Sequence, residues 1–154
     1  MKISISSEER INFLTTMCGS AYRVLHALYE KDNEELQNEV LSALAESMKD
    51  LEMVMDLYGI PRNPEGVASA MMLTEDLIGC EPCGELLSVS GTEAVRKVTS
   101  CPWASLFSQD GSTCRFIMEA TQKGIADKHG LRITCEQSIA GGSDYCIWKV
   151  SRKQ

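Results

Sequence analysis

Cys101 stands directly before Pro102 and Trp103, where an alternating apolar stretch gives way to turn residues. A cysteine followed by proline at a strand-to-helix junction occupies an N-cap position, with proline first in the helix, where its missing N–H costs nothing. Free backbone N–H groups and the positive end of the helix dipole there favour thiolate over thiol. That is the recipe for a nucleophile or a metal ligand, and the competing reading is a small buried residue ending a strand. Cys114 and Cys146 gain chemical meaning if the fold carries them to Cys101. Three converging thiols could hold zinc with an open fourth position, or an iron–sulfur cluster; alternatively one thiolate attacks a carbon centre while the others stay neutral.

Cys80 and Cys83 form a C-x-x-C pair in a loop after a helix. Following a helix C-terminus, the pair lacks the dipole that lowers a thiol pKa in redox motifs, so joint metal binding with Cys101 is its better functional reading. Asp144, two residues before Cys146, could carry a proton or position a substrate amine, although aspartate in a Gly-Gly-Ser-Asp turn commonly serves only the turn. Glycine-rich phosphate loops and paired-histidine zinc helices are absent. His26 and His129 are isolated, and Cys18 falls in an apolar stripe.

The elements that must position these residues are legible from spacing. Ser6 and Glu9 form a capping box ahead of a helix whose buried stripe is expected to be Ile11, Leu14, Cys18, Ala21, Leu25 and Leu28. Asp32 and Glu35 repeat the device before a second helix that runs to Tyr58 and stops at Gly59 and Pro61. The two predict an antiparallel hairpin, and a third helix follows from Asn63 and Pro64 to Gly79. Met48, Met53, Met55, Met71 and Met72 read as adaptable core filling.

Beyond Gly79 the period changes. Glu85 to Ser90 and Ala94 to Cys101 alternate as two strands about Gly91 and Thr92, and the alternation leaves open whether Val95, Lys97, Thr99 and Cys101 face inward or Arg96 and Val98 do. A short helical stretch reaches Phe107, and a longer helix runs from Ser112 to about His129, capped by Gly130. A last hairpin places Leu131, Ile133, Cys135, Gln137 and Ile139 on one face and Cys146, Trp148 and Val150 on one face of the return strand. The expected class is α+β in a single domain, 1–154: a helical part, 1–79, and a cysteine-rich part, 80–154, whose antiparallel sheet is two hairpins with an intervening helix.

Composition limits the partners. The 154-residue chain carries a net charge of −7, which argues against nucleic acid, whose binding draws on Lys and Arg. The excess is uneven: eleven acids and five bases lie up to Tyr58, leaving eleven acids and ten bases around the cysteines. No apolar run approaches the roughly 20 residues that span a bilayer, and Met1 to Arg10 does not read as a signal peptide. A cytosolic location is expected, where thiols stay reduced, so seven cysteines point to metal, catalysis or burial ahead of disulfides. An exposed apolar edge on the helical hairpin would favour a homodimer.

The stretch V-R-K-V-T-S-C-P-W-A from Val95 to Ala104, Cys114 leading a helix, and G-G-S-D-Y-C-I-W from Gly141 to Trp148 together resemble the L-2-amino-thiazoline-4-carboxylic acid hydrolase-like family. The same residues are similar to the related 4-vinyl-reductase-type domains, of the broader haem-nitric-oxide-binding fold group. The resemblance covers roughly the last third of the chain. It implies an α+β small-molecule domain whose Cys101, Cys114 and Cys146 line a ligand or metal pocket, with Asp144 at an acidic turn position. The family's hydrolase activity opens a cyclic amidine-like ring, which a cysteine nucleophile or metal-bound water could do. Extra Gly and Ser before Asp144 depart from the pattern, as does the added pair Cys80 and Cys83, which tilts toward a metal. Haem is disfavoured because neither histidine lies in a matching motif. Two functions follow as expectations: a cysteine-dependent hydrolase of a small C–N compound, or a non-enzymatic sensor or accessory module using the same pocket. The lack of an acid–base pair near the thiols favours the second.

Overall fold

Ser6 and Glu9 do form a capping box: the Glu9 N–H donates to Ser6 Oγ at 3.1 Å and the Ser6 N–H to Glu9 Oε2 at 2.7 Å. They open α1 (Ser7–Tyr29) in the computed structural model, which describes residues 6–77, 83–107 and 111–154. Asn33, one residue after the expected cap, accepts the Leu36 N–H at 3.0 Å and starts α2 (Glu34–Ser47). The single long second helix is corrected to two, since the chain breaks at Met48 and resumes as α3 (Lys49–Leu57). Gly59, at φ +65°, ends α3 in the left-handed region. Asn63 Oδ1 then accepts the Gly66 N–H at 2.8 Å, with Pro64 first in α4 (Pro64–Leu77).

The inward face of α1 also differs from expectation. Leu14 and Cys18 are exposed and Leu28 is partly so, while Gly19 and His26 are buried and Thr15, Tyr22, Leu25 and Tyr29 are half-buried. Close approach explains the choice of face: a Cβ on Gly19 would lie 2.5 Å from Leu106 Cδ1 and 2.9 Å from Trp103 Cδ1. Trp103 Nε1 donates to the Thr15 carbonyl at 3.0 Å, and the Tyr22 ring meets Trp103 edge-on at 5.7 Å. Aromatic area and one hydrogen bond thus outweigh a more aliphatic stripe. Among the methionines, Met55 is fully buried in the core, whereas Met53 is exposed.

Strands β1 (Gly84–Val89), β2 (Glu93–Val98), β3 (Leu131–Gln137) and β4 (Cys146–Arg152) make one antiparallel sheet in the order β1-β2-β4-β3. The expected α+β class and its two hairpins are present, joined through β2 and β4. Strand β2 ends three residues before Cys101, and 102–106 are turns in place of the expected short helix. Alternation resolves so that Ala94, Arg96 and Val98 face the helices, opposite Val150, Trp148 and Cys146. α4 packs on β2 and β4, and α5 (Ser112–Thr121) lies beside β3. After α5 come a π-helical turn (Gln122–Ala126), a 3-10 turn (Asp127–His129) and Gly130 at φ +64°. Gly124 is needed in the π turn, because a Cβ there would sit 2.3 Å from the Ala45 carbonyl oxygen of α2.

One apolar cluster joins α3, α4 and the π turn to the sheet through Met55, Val67, Ile125, Leu131 and Val150. A second joins α2 to α5 through Leu41, Leu44 and Phe116. Among the described residues, no helix is long and apolar enough to cross a membrane.

Candidate ligand pocket

Beyond the Arg96 and Val98 end of β2 the helices do not close on the sheet. The Val98–Cys146 pair sits at the floor, α4 contributes Met71 and Glu75, and α5 contributes Cys114 and Ile117. The turn from Pro102 to Phe107 forms the far wall. It is held by its own N–H bonds from Leu106 and Phe107 to the Trp103 carbonyl, at 2.8 and 3.0 Å, and by the Trp103 link to α1. Together these line a half-open cavity of about 360 Å³, walled largely by Tyr22, Trp103, Phe107, Met71, Ile117 and Trp148. That volume lies at the small end of ligand sites, about 300–1,000 Å³.

Cys101, Cys114 and Cys146 all line this cavity. Two of the interactions expected at Cys101 exist, since N–H groups of Trp103 and Ala104 favour its thiolate. They lose to burial, which pushes the Cys101 thiol up to about 11 from an ordinary 9.0. Burial likewise drives Cys114 up to about 12, helped by Cys101, Cys146 and Cys135 nearby. Cys135, which donates to the Gln137 carbonyl at 3.1 Å, is raised by burial to about 11, and Cys146 is raised by burial despite the Ile139 N–H at 3.2 Å. At neutral pH these groups are small apolar thiols, poor as nucleophiles.

The polar feature of the pocket is one that alternation alone did not single out. Arg96, 1% exposed, donates from Nη1 and Nη2 to the two Glu75 oxygens at 3.1 and 2.6 Å. Its guanidinium lies over the Trp148 ring, 5.6 Å from the centroid. The Nε atom is buried and meets no hydrogen-bond acceptor among the described residues. The available signal was an arginine on the same strand face as Val98, which becomes informative once that face is known to be inward.

The remaining site expectations disperse. Cys83 is buried in a small cluster with Val98 and Cys146 and does not line the cavity, while Cys80 lies outside the described residues. Asp144 is exposed in the β3–β4 connection, away from the lining. His26 is buried against Phe116 and Thr113, and His129 bonds Glu52 at 3.0 Å. Among the described residues no group of three or more His, Cys, Asp or Glu side chains could hold a metal ion. The metal-binding expectation is corrected accordingly, because the thiols are spread around a cavity and do not converge as a ligand set among the described residues.

A wider depression of about 1170 Å³ runs past Gln122, Asp127 and Lys149. Several of its polar groups answer one another: Gln122 bonds the Leu131 carbonyl and the Ile133 N–H, Lys153 pairs with Asp127, and Lys149 with Glu93. It is a less suitable ligand site than the more apolar cavity.

Comparison with solved structures finds the crystal structure of a trafficking protein particle complex subunit 3 from Naegleria fowleri, covalently bound to palmitic acid. The fold is similar to that of this trafficking-complex subunit. The TM-score is 0.60 at 13% sequence identity, over 96% of this chain and 98% of that one. No protein-family model and no curated protein matches the chain. A hydrolase assignment is corrected with the metal one, since the similar fold is that of a trafficking-complex subunit and the described residues offer no metal site.

Proposed function

We propose that this domain is a non-catalytic binding module whose cavity between sheet and helices takes a small, largely apolar molecule. The observation that carries the reading is the half-open, predominantly apolar pocket of about 360 Å³ with aromatic walls and buried thiols. Apolar burial supplies its affinity, and among the described residues of the lining burial disfavours the thiolate that would act as a nucleophile. The similarly folded subunit is covalently bound to palmitic acid, and an apolar ligand on that protein supports the reading. It also agrees with the accessory-module alternative drawn from the 4-vinyl-reductase-type resemblance.

Both tryptophans of the chain, Trp103 and Trp148, line the cavity, so intrinsic fluorescence reports directly on its contents. Titration with small aromatic and aliphatic compounds should give saturable spectral shifts that Ile117→Trp, which fills the pocket, abolishes. Linear, non-saturable responses throughout would sink the proposal.

The protein partner is a second copy of the chain, met through α1. Leu14, Met17, Ala21, Val24 and Leu28 recur at alternating threes and fours on its exposed face, the spacing of a helix–helix seam. Antiparallel pairing about Ala21 sets Leu14 against Leu28 and brings Arg10 level with Glu30 and Asp32 of the other copy, so the charges complement. Sedimentation equilibrium should show a dimer that Val24→Asp dissociates; a wild-type monomer at high concentration would rule this out.

A further inference from the structure

Several hydrogen-bond donors in the cavity wall are already spent inside the protein. Trp103 Nε1 donates to the Thr15 carbonyl at 3.0 Å, and the Thr74 and Thr121 hydroxyls donate to the Ala70 and Ile117 carbonyls of their own helices, each at 2.9 Å. Glu75 differs. It too lines the cavity, yet its side chain is 19% exposed where that of Arg96 is 1%, so the reachable member of the pair is the carboxylate. Its charge is felt among the lining residues: behind burial, the main cause, Glu75 helps raise the Cys101 and Cys146 thiols. Arg96 makes two bonds to this carboxylate. A carboxylate offers about four acceptor sites, so acceptor capacity is left over.

Resting on the reading of the cavity as a ligand site, we infer that Glu75 is its polar anchor and that the ligand is an apolar molecule carrying one neutral hydroxyl donor, as in a phenol or an alcohol. An O–H donating to an ionised carboxylate makes one of the stronger hydrogen bonds. Charge selects against the other polar heads. Arg96 already balances Glu75, so an ammonium would bring an unpaired positive charge out of water into an apolar site. An acid would meet two carboxylates of the lining, Glu75 and the exposed Asp50. A ketone or an ether would set an acceptor against an acceptor. The hydroxyl meets the spare lone pairs and adds no charge, and the aromatic walls take the remainder of the molecule.

The test measures 2-naphthol, 2-methylnaphthalene, which has a methyl in place of the hydroxyl, 2-naphthoate and 2-naphthylmethylamine by equilibrium dialysis against the full chain at neutral pH. The methyl compound is the more hydrophobic, so a pocket without an acceptor would prefer it. With Glu75 as anchor, 2-naphthol should bind roughly tenfold more tightly than 2-methylnaphthalene, and both charged compounds more weakly than 2-naphthol. In the double variant Glu75→Leu with Arg96→Leu, which removes the pair without stranding a charge, the order of the two neutral compounds should reverse. Because that variant replaces buried groups, a second measurement on the unaltered protein follows the emission of bound 2-naphthol. Naphthol is a strong acid in its excited state, so an O–H held on a carboxylate emits as naphtholate, and one in a purely apolar site emits as the neutral form. Emission from the neutral form alone, 2-methylnaphthalene binding as tightly as 2-naphthol, tightest binding of either charged compound, or an unreversed order in the folded double variant would overturn the anchor while leaving the pocket reading in place. Binding of none of the four would remove both.

Discussion

The two ends of the sheet's inner face share strands and covering helices yet end in different states. At one end the Ala94–Val150 pair and the neighbouring Leu131 and Ile133 lie under Val67, Ala70 and Ile125, and every one of these side chains is at most 4% exposed. Two and four residues along the same strands, Arg96 opposite Trp148 and Val98 opposite Cys146 floor a cavity. What differs is the cover. At the closed end small residues on α4 and Gly124 in the π turn bring backbones together, whereas at the open end the roof is a turn hung from α1 by the Trp103 hydrogen bond. Close packing is the rule in protein interiors, so the unfilled end beside a filled one is the feature on which the proposed ligand site rests.

The comparison breaks most visibly under truncation. Leu131→Ala at the closed end should cost about 2–5 kcal/mol in urea unfolding, since the site is fully enclosed. Cys114→Ala at the open end should cost less than about 1 kcal/mol, because the void it enlarges is already there. Equal losses would mean that the open end is as tightly packed as the closed one.

Glycine substitutions sharpen the contrast at smaller scale. In an ordinary helix Gly→Ala stabilises by about 1 kcal/mol. Gly124→Ala should reverse that sign and destabilise by about 1–3 kcal/mol, because the new Cβ would press on the Ala45 carbonyl at 2.3 Å, which is backbone. Gly19→Ala meets only the movable end of Leu106 and the Trp103 ring edge, so it should cost less and instead shift the tryptophan emission of the open end.

Several of these features were legible in the sequence. The capping box, the Pro64 helix start, both hairpins and the α+β class follow from local rules that tertiary contacts only reinforce. The inward face of α1 was hidden because it depends on Gly19 accepting Trp103 from a segment 84 residues on, a contact that no periodicity encodes. Met48 gave no warning of the α2–α3 break, for neither glycine nor proline marks it. At the site, spacing suggested Cys101, Cys114 and Cys146, but it weighted the helix-end dipole and could not weigh burial, which sets the protonation state. Arg96 and Glu75 were missed because a charged pair on an inward face reads from sequence as surface.

The smallest expected effects are electrostatic and distinguish the ends by pH. At the open end the folded state holds Cys101, Cys114 and Cys135 protonated up to about 11 or 12, while in the unfolded chain thiols ionise near 9.0. These raised values contribute stability that is fully present below pH 9 and is lost as pH climbs through the folded values, because the unfolded state sheds its protons first. Unfolding midpoints should therefore decline between about pH 9 and 12, and the decline should be shallower in Cys114→Ala. At the Glu52–His129 pair, neither member of which lines the cavity, the sign is opposite. Glu52 is raised by burial, but the His129 and Lys128 hydrogen bonds outweigh this and hold its carboxyl low, so its contribution is present above the usual carboxylate range and fades as pH falls below it. Glu52→Gln should leave the alkaline decline untouched and flatten only a small acid-side slope, as exposed pairs contribute little. A Glu52→Gln protein whose alkaline decline changed instead would show that the two ends are coupled, and the cavity could not then be treated as a local feature of one end of the sheet.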